Sequence, residues 1–436
     1  MSSSSLFSPS FLLTAAFACA LALQLLAQVG LLTRQVRHVA RHRSAVPAAF
    51  AEKITLAAHQ KAADYTLAKA QVGLLQLAWG AMLLLGWTLL GGLDALHQAL
   101  LAAMGPGLGQ QIALVAAFAL ISGVLELPFS LYQTFVVEQR FGFNQSTLGL
   151  WLADVCKSSV LAAVIGLPLV AAVLWLMQAA GSLWWLWAWG LWTGFQLLLM
   201  WIFPTFIAPL FNKFQPLEDA ALKERVTTLM QRCGFAAKGL FVMDGSRRSA
   251  HANAYFTGLG KSKRVVFYDT LMEKLEPAEL DAVLAHELGH FKHGHVAKRL
   301  ALMMVASFLG FALLGWVSGQ LWFYDGLGVR PVIGLDASAG SALGLNAGMA
   351  LLLFSLVLPL FTFFLTPLFA ALSRKDEFQA DQYACQLASG QNLGQALLKL
   401  YSDNASTLTP DPWFVRFYAS HPPAAQRLAA MGYHAA

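Results

Sequence analysis

The chain alternates between long apolar stretches and shorter polar segments, and seven of the stretches are long enough to cross a membrane. A helix needs about 20 apolar residues to span a hydrocarbon core about 30 Å thick. Pro128 is expected to kink or end the third helix. The pattern predicts a mainly α-helical polytopic membrane protein with transmembrane helices at Phe11–Leu32, Val72–Leu90, Ile112–Tyr132, Val160–Ala179, Trp184–Phe203, Leu300–Trp322 and Gly348–Leu372.

Composition supports a membrane protein and excludes a soluble one. Hydrophobic residues make up 57% of the chain and charged residues only 12%, whereas a soluble domain carries about 25% charged residues. Basic residues follow the first apolar stretch instead of preceding it, which is typical of a retained span and not of a cleaved signal peptide. The cysteines show no CxxC spacing, so we interpret all of them as free thiols: Cys19, Cys156, Cys233 and Cys385.

The distribution of Lys and Arg predicts how the chain is oriented. If the N-terminus lies outside, the inner segments are 33–71, 133–159, 204–299 and the tail after 372, with 7, 2, 14 and 5 of the 29 basic residues. Only Arg330 falls on the other side. The positive-inside rule therefore places the two long polar segments in the cytoplasm. Juxtamembrane basic residues account for the net charge of +6, and no nucleic-acid partner is needed.

The polar segments are expected to form one domain that is discontinuous in sequence. Leu217–Arg232 has helical periodicity, whereas Leu240–Met243 and Arg264–Tyr268 are typical of short strands in a small β-sheet. Thr33–Lys69 is expected to extend the first two membrane helices into the cytoplasm. The predicted organisation is membrane helices one to five in 1–204, the first segment of this domain in 205–299, membrane helices six and seven in 300–372, and the second segment of the domain in 373–436.

The strongest chemical signal is His286-Glu287-Leu-Gly-His290, in a helical run predicted from Pro277 to about Lys298. Two histidines four residues apart lie on one helix face, so both imidazoles can reach one zinc ion. Glu287 is then placed to accept a proton from the attacking water. These are the parts that metal-assisted peptide hydrolysis requires.

A catalytic zinc needs a third protein ligand, and Glu377 is the best candidate. It follows the last predicted span on the same membrane side, and Asp381 shares its helix face and can orient a ligand histidine. An ordinary solvated acidic face is the alternative. The metzincin spacing fails here, because it requires Gly at 293 and His at 296 and this chain has His293 and Val296. His293 and His295 are instead expected to be a polar wall or to support the ligands.

Two further clusters contain polar residues suited to a peptidase site. One is His251-Ala-Asn253-Ala-Tyr255-Phe256, which lies ahead of a predicted strand. The other runs from His421 to Arg427, and a His or Arg near zinc could stabilise the oxyanion that develops on a cleaved carbonyl.

Taken together, these motifs resemble the type I CAAX prenyl protease family of seven-span membrane zinc proteases. The resemblance rests on His286–His290, Glu377-x-x-x-Asp381, the 251–256 cluster and Ser420-His421-Pro-Pro423-x-x-x-Arg427. Two loops, Glu138-x-x-Phe141-Gly142-Phe143-Asn144 and Pro209-Leu-Phe211-Asn212-Lys213-Phe214, also match the family. The match extends from about residue 60 to 430.

The resemblance implies a role for each motif residue. His286, His290 and Glu377 would bind one Zn²⁺ per chain in a gluzincin-like domain, and Glu287 would be the general base. Asn253 would hold substrate backbone, with His251 and Tyr255 as further substrate-binding residues. His421 would stabilise the oxyanion, and Arg427 would support the site through Asp381. The helices would enclose a chamber, and Glu126 in the third span would either face it or form an ion pair.

The sequence predicts a zinc metalloendopeptidase that acts on a peptide or protein substrate, which can be lipid-modified, in the lipid bilayer. Ala-rich spans favour a bacterial inner membrane. Because most bacteria do not prenylate such substrates, a membrane-protein quality-control protease, similar in role to the HtpX peptidases, is the alternative. A metal transporter would place its ligands within spans, and an inert scaffold would not need every catalytic residue.

Overall fold

The computed structural model of the chain describes residues 8–257, 262–332 and 339–433. Within these ranges, seven helical segments are long and apolar enough to cross a membrane. The prediction of seven spans is therefore confirmed. The segments are Pro9–His42, Leu56–Trp87, Leu108–Glu138, Leu148–Ala179, Gly181–Leu210, His295–Val317 and Gly344–Leu387.

The α-helices form both the membrane bundle and a large part of the polar domain. In chain order they are α1 (Pro9–His42), α2 (Leu56–Trp87), α3 (Gly92–Met104), α4 (Leu108–Tyr132), α5 (Leu148–Ala179), α6 (Trp184–Ile202), α7 (Ala220–Arg232), α8 (Asp269–Met272), α9 (Pro277–Lys292), α10 (His295–Val317), α11 (Leu321–Asp325), α12 (Ala339–Thr362), α13 (Thr366–Leu387), α14 (Gly390–Asp403), α15 (Pro412–Tyr418) and α16 (Ala424–Ala430).

Several membrane helices extend well beyond the bilayer thickness, as expected for 33–69. The hydroxyls of Ser8, Thr55 and Thr147 accept hydrogen bonds from the first turns of α1, α2 and α5, which fixes where these helices begin. Pro128 lies inside α4, which continues as a π-helical turn to Glu138. Of the two outcomes expected at Pro128, a kink or an end of the helix, the end does not occur.

Glu126, on α4, has an exposed side chain and forms no ion pair within the described ranges. The ion pair considered for it is therefore absent from this part of the chain. The other predicted setting, a chamber, stays a prediction for Glu126 itself. All four cysteines are free, as predicted.

The polar domain contains a four-stranded mixed sheet in the order β1-β2-β4-β3. β2 pairs in parallel with β4, whereas β1 and β3 each pair antiparallel with a neighbour, so β3 is an edge strand. The two predicted strands lie within β2 and β4. The strand bounds are β1 (Phe214–Pro216), β2 (Ala236–Met243), β3 (Ala254–Thr257) and β4 (Ser262–Tyr268).

One hydrophobic core joins the two polar segments into a single domain. Val226 of α7, Phe267 of β4 and Leu284 of α9 pack in the same buried cluster as Ala384 of α13 and Ala396 of α14. The membrane helices that lie between these segments in sequence have a separate buried core. Segments more than 80 residues apart in the chain are therefore held together mainly by burial of apolar surface.

The helix with the His-Glu-Leu-Gly-His motif is shorter than predicted. α9 ends at Lys292, and Gly294 adopts a left-handed conformation with φ 68° before α10 begins at His295. The prediction of a continuous helix to about Lys298 is therefore wrong. Glycine adopts this conformation at little cost, so the chain turns here from the polar domain into the sixth membrane helix.

Two adjoining cavities are lined by residues of both the membrane helices and the polar domain. The first, which we call the membrane cavity, has a volume of about 1230 Å³ and is bordered mainly by apolar residues of α4 and α5. The second, the site cavity, has a volume of about 750 Å³ and reaches Asn253 and His421. Tyr65, Lys69, Ser249 and His251 line both, so the cavities meet at these residues.

Candidate active site

Helices α9 and α13 pack closely, and this contact brings the predicted zinc ligands together. Gly289, between the two motif histidines, makes the approach possible. A Cβ at this position would lie 3.0 Å from the Cα of Ala380 and 3.2 Å from its carbonyl oxygen. The backbone of α13 therefore rests directly on α9, with Glu377 and Asp381 facing the histidines.

His286, His290 and Glu377 form a group with the geometry of a metal site. The Nε2 atoms of the two histidines are 3.3 Å apart. Glu377 places its Oε2 3.5 Å from Nε2 of His286 and its Oε1 3.4 Å from Nε2 of His290. Tetrahedral ligands about 2.1 Å from zinc would be separated by about 3.4 Å. Among the described residues, one group of His, Cys and carboxylate side chains could hold a metal ion. It consists of the three ligands that the sequence predicts.

The surroundings of the Glu377 carboxylate also fit a bound cation. Oε2 of Glu377 is buried, and its nearest donors among the described residues lie at long distances, Nε2 of His286 at 3.5 Å and Nη1 of Arg427 at 3.7 Å. A buried carboxylate oxygen without a close donor is costly unless an ion compensates it. The residues present therefore fit a divalent metal.

Asp381 and Arg427 hold the first ligand in place. Oδ1 of Asp381 lies 2.8 Å from Nδ1 of His286. This contact keeps the proton on Nδ1 and leaves the Nε2 lone pair free for a metal. Arg427 donates from Nε and Nη2 to the two oxygens of Asp381, at 2.8 and 2.5 Å. All three side chains are buried, so the geometry of His286 is fixed.

A second chain of contacts orients the other histidine ligand. Nδ1 of His290 lies 3.0 Å from Nδ1 of His295, whose Nε2 lies 2.9 Å from Oε1 of Gln379. If His295 donates to Gln379, its Nδ1 accepts the proton of His290, and Nε2 of His290 is free for a metal. His295 thus supports a ligand, one of the two roles expected for it. His293 stacks on His295 and stays outside the ligand group.

Gln379 was not identified from the sequence. An amide in a helical segment carries no distinctive signal by itself. Its position two residues after Glu377 on α13, together with the proximity of His295, is what gives it a function.

The carboxylates around His286 stabilise positive charge at this site. Burial lowers the pKa of His286, but hydrogen bonds with Asp381 and Glu377 outweigh burial and raise it to about 9. The surrounding carboxylates thus stabilise a cation at this place. A divalent metal would replace that proton, because a ligand histidine must be neutral.

Glu287 and His421 lie beside the group without belonging to it. Glu287 is partly buried, and no hydrogen bond or ion pair involves it within the described ranges. Its carboxylate is therefore available to accept a proton from water. Nε2 of His421 lies 3.4 Å from Oε1 of Glu377, and Nδ1 lies 2.9 Å from the hydroxyl of Ser420. With 61% of its side chain exposed, His421 faces the site cavity.

Asn253 lies at the start of the edge strand β3. Its side-chain oxygen accepts from the backbone N–H of Ala254 at 2.8 Å, and its carbonyl accepts from the backbone N–H of Tyr268 at 3.0 Å. The residue is exposed and lines the site cavity with His421. The ring of Tyr255 packs against that of Tyr268, with centroids 6.4 Å apart. An edge strand with an exposed amide can pair with an extended peptide.

His251 lies away from the ligand group, where the two cavities meet. Its ring stacks on Phe143, with centroids 4.2 Å apart, and its Nε2 lies 3.5 Å from Oε2 of Glu138. Asn404 contacts its Nδ1 and accepts from the backbone N–H of Ala252. The structure thus joins the 138–144 loop to the 251–256 cluster, a contact that the sequence does not reveal.

This fold and this site together define a polytopic membrane metallopeptidase. A family model described as CAAX prenyl protease N-terminal, five membrane helices, matches residues 35–213. The model for peptidase family M48 matches residues 216–435. The chain therefore belongs to peptidase family M48, and the predicted family is confirmed.

Relatives and a solved structure agree with this assignment. The chain is 37% identical to CAAX prenyl protease 1 of Saccharomyces cerevisiae, over 74% of this chain and 72% of the relative. It is 32% identical to the CAAX prenyl protease 1 homolog of Homo sapiens, over 74% of this chain and 73% of that protein. The crystal structure of S. mikatae Ste24p matches with a TM-score of 0.85 and 30% identity, over 96% of this chain and 98% of that one.

Proposed function

We propose that this peptidase is a zinc endopeptidase that cleaves near the C-terminus of prenylated peptides, with the site residues in the roles described below. The observation that carries the proposal is the group of His286, His290 and Glu377, whose ligand atoms lie within 4.8 Å of one another beside Glu287. Two relatives with more than 30% identity are named CAAX prenyl proteases, which supports the substrate class.

His286, His290 and Glu377 would hold the zinc, since two imidazoles and a carboxylate leave a fourth position open. When bound, zinc supplies Lewis-acid chemistry that polarises the scissile carbonyl and acidifies water. Asp381 and His295 keep the two histidines in the tautomer that binds a metal. Arg427 holds Asp381 and balances its charge in the buried site.

The remaining chemistry belongs to protein side chains. Glu287 accepts the proton of the attacking water and later passes it to the leaving amine. His421 donates a hydrogen bond from Nε2 to the oxyanion of the tetrahedral intermediate. Asn253 holds the substrate backbone as an added strand beside β3, which aligns the scissile carbonyl with His421. Tyr255 and His251 extend this binding surface.

The location of the site suits a lipid-modified peptide. The site cavity opens into the membrane cavity, whose walls include Ala119, Val124, Leu167 and Val170. An isoprenoid chain attached to the peptide would gain about 25 cal/mol for each Å² of apolar surface removed from water. We further propose that the N-terminus lies outside and the polar domain lies in the cytoplasm of a bacterial cell, with 205–299 and 373–436 forming the catalytic unit.

The test compares two fluorogenic peptides of the same sequence, one with a farnesylated cysteine in a CAAX terminus and one unmodified. Detergent-purified protein is assayed with each peptide, with and without a chelator, and after zinc is restored. Glu287→Gln should retain one zinc per chain and lose about 10²- to 10⁴-fold in kcat. Glu273→Gln is the matched control, because Glu273 is exposed at the end of α8, and it should behave as wild type.

Chelator-sensitive cleavage that depends on Glu287 and favours the farnesylated peptide supports the whole proposal. Equal cleavage of both peptides would overturn the prenyl requirement and favour the quality-control role. Near wild-type cleavage by Glu287→Gln would overturn the assignment of the general base.

A further inference from the structure

The site cavity has an unbalanced charge. Among the residues that line it are Lys69, His251 and His421, whereas none of its described lining residues is Asp or Glu. In the proposed function Asn253 and His421 contact the substrate, and both line this cavity, so the proposed function places a bound substrate here. A pocket with a cation and no carboxylate in its wall favours an anionic ligand.

Lys69 is the permanent cation of this wall, and its side chain is exposed. It lies on α2 one turn after Tyr65, and its Nζ is 4.8 Å from the centroid of the Tyr65 ring. Within the described ranges, no carboxylate oxygen lies within ion-pair distance of Nζ. Its side chain lines both cavities.

The carboxylates of the adjoining membrane cavity already have other partners. Glu138 accepts from the Tyr65 hydroxyl at 2.7 Å and from Gln133 at 2.9 Å. Asp154 accepts from Nε and Nη2 of Arg248, at 2.8 and 3.0 Å. Lys69 is therefore the cation at the junction of the two cavities that remains available for a ligand.

We propose that Lys69 binds the C-terminal carboxylate of the substrate and so makes the enzyme select peptides that end a few residues after the cleaved bond. This inference rests on the proposed function. Three extended residues span about 10 Å, which is the length scale of a cavity of about 750 Å³ that contains both His421 and Lys69. A scissile bond beside His421 would thus place a free carboxylate at the cation.

The test uses two farnesylated peptides that differ only at the C-terminus, one ending in a free carboxylate and one in an amide. The readout is the ratio of kcat/KM for the acid to that for the amide. We expect wild-type protein to prefer the acid by about tenfold or more, because charge-assisted hydrogen bonds are the stronger ones. Lys69→Met should bring the ratio close to one, and Lys69→Arg should keep most of the preference.

Lys61→Met is the matched control. Lys61 is an exposed lysine on the same helix, with its Nζ 5.0 Å from the Phe143 ring, and it does not belong to the walls of either cavity. This variant should keep the wild-type ratio. In wild-type protein, the tripeptide product should also inhibit better with a free carboxylate than as an amide, a measurement that does not depend on any variant folding.

The results distinguish failure of the proposed role of Lys69 from failure of the proposed function. A wild-type ratio near one, or a ratio that Lys69→Met leaves intact, would overturn the role of Lys69 while cleavage itself still supports the proposed function. If neither peptide is cleaved in a chelator-sensitive way, the proposed function fails, and the role of Lys69 fails with it.

Discussion

Nδ1 of His286 lies 2.8 Å from Oδ1 of Asp381, a carboxylate 95 positions later in the chain that is itself clamped by Arg427. The contact decides which nitrogen of His286 can bind a metal. It also makes metal binding depend on the packing of α9 against α13.

Replacing Asp381 with Asn should weaken metal binding without removing a ligand. The substitution removes the charge that holds the Nδ1 proton of His286 and the carboxylate to which buried Arg427 donates its hydrogen bonds. Loss of such a supporting carboxylate costs about 10- to 100-fold in metal affinity. Zinc affinity measured by chelator competition should fall by this factor.

Asp281→Asn is the control for this prediction. Asp281 forms an ion pair with Arg225 in the same domain, at 2.5 Å, but lies outside the ligand group. Its zinc affinity should equal that of wild type. If Asp381→Asn binds zinc as tightly as this control, the orienting role of Asp381 is refuted.

Zinc affinity should rise with pH well beyond the ordinary range of histidine. In the metal-free protein the pKa of His286 is about 9 rather than 6.5. Zinc must displace that proton, so affinity should increase about tenfold per pH unit until pH is about 9. Competition titrations from pH 6 to 10 would measure the slope, and a plateau that begins near pH 7 would contradict the prediction.

The same shift predicts how metal-free stability depends on pH. Because the folded pKa of His286 exceeds its ordinary value, the protonated residue stabilises the fold fully below pH 6.5. That contribution should be lost as pH rises through about 9. The melting temperature of chelator-treated protein should therefore fall between pH 7 and 9.5, and zinc-loaded protein should show a smaller fall.

Gly289→Ala should separate α9 from α13. The added Cβ would lie 3.0 Å from the Cα of Ala380, which belongs to the backbone and cannot rotate away. Overpacking of this kind costs about 1–3 kcal/mol, and Glu377 should shift relative to the histidines. We expect a lower melting temperature and less than one bound zinc per chain.

Gly310→Ala serves as the comparison for Gly289→Ala. Gly310 lies in α10, and a Cβ there would meet no atom within 4 Å. Its melting temperature and zinc content should match those of wild type. Equal behaviour of the two variants would show that α9 and α13 do not need their close approach.

The predicted orientation can be tested with single cysteines in a cysteine-free background. Met104 is exposed at the end of α3, and Glu273 is exposed in the polar domain. The sequence places Asp94 and Arg330 on the same side as Met104, and the structure pairs them, with Nη2 and Oδ2 2.6 Å apart. In intact cells an impermeant thiol reagent should label Met104→Cys and not Glu273→Cys. Labelling of Glu273→Cys before permeabilisation would reverse the orientation.

Residues close together in sequence were predicted well. The seven spans follow from long apolar runs, and the pairing of His286 with His290 follows from helical spacing. The end of α9 was missed, because Gly294 breaks a polar run that otherwise continues helical periodicity into α10. The third span was predicted to end at Tyr132, and its extension to Glu138 was missed because a π-helical turn has no pattern of its own.

The sequence by itself determined the class of protein, the number of membrane helices and the residue types of the candidate site. Local spacing and apolar length carry that information. Only the tertiary structure decided that His295 and Gln379 support His290, that His251 meets Glu138, and that Lys69 faces the site cavity. Each of these contacts joins side chains from separate elements, and its geometry is set by how helices and strands pack against one another. No repeat or spacing along the chain encodes such packing in a readable form.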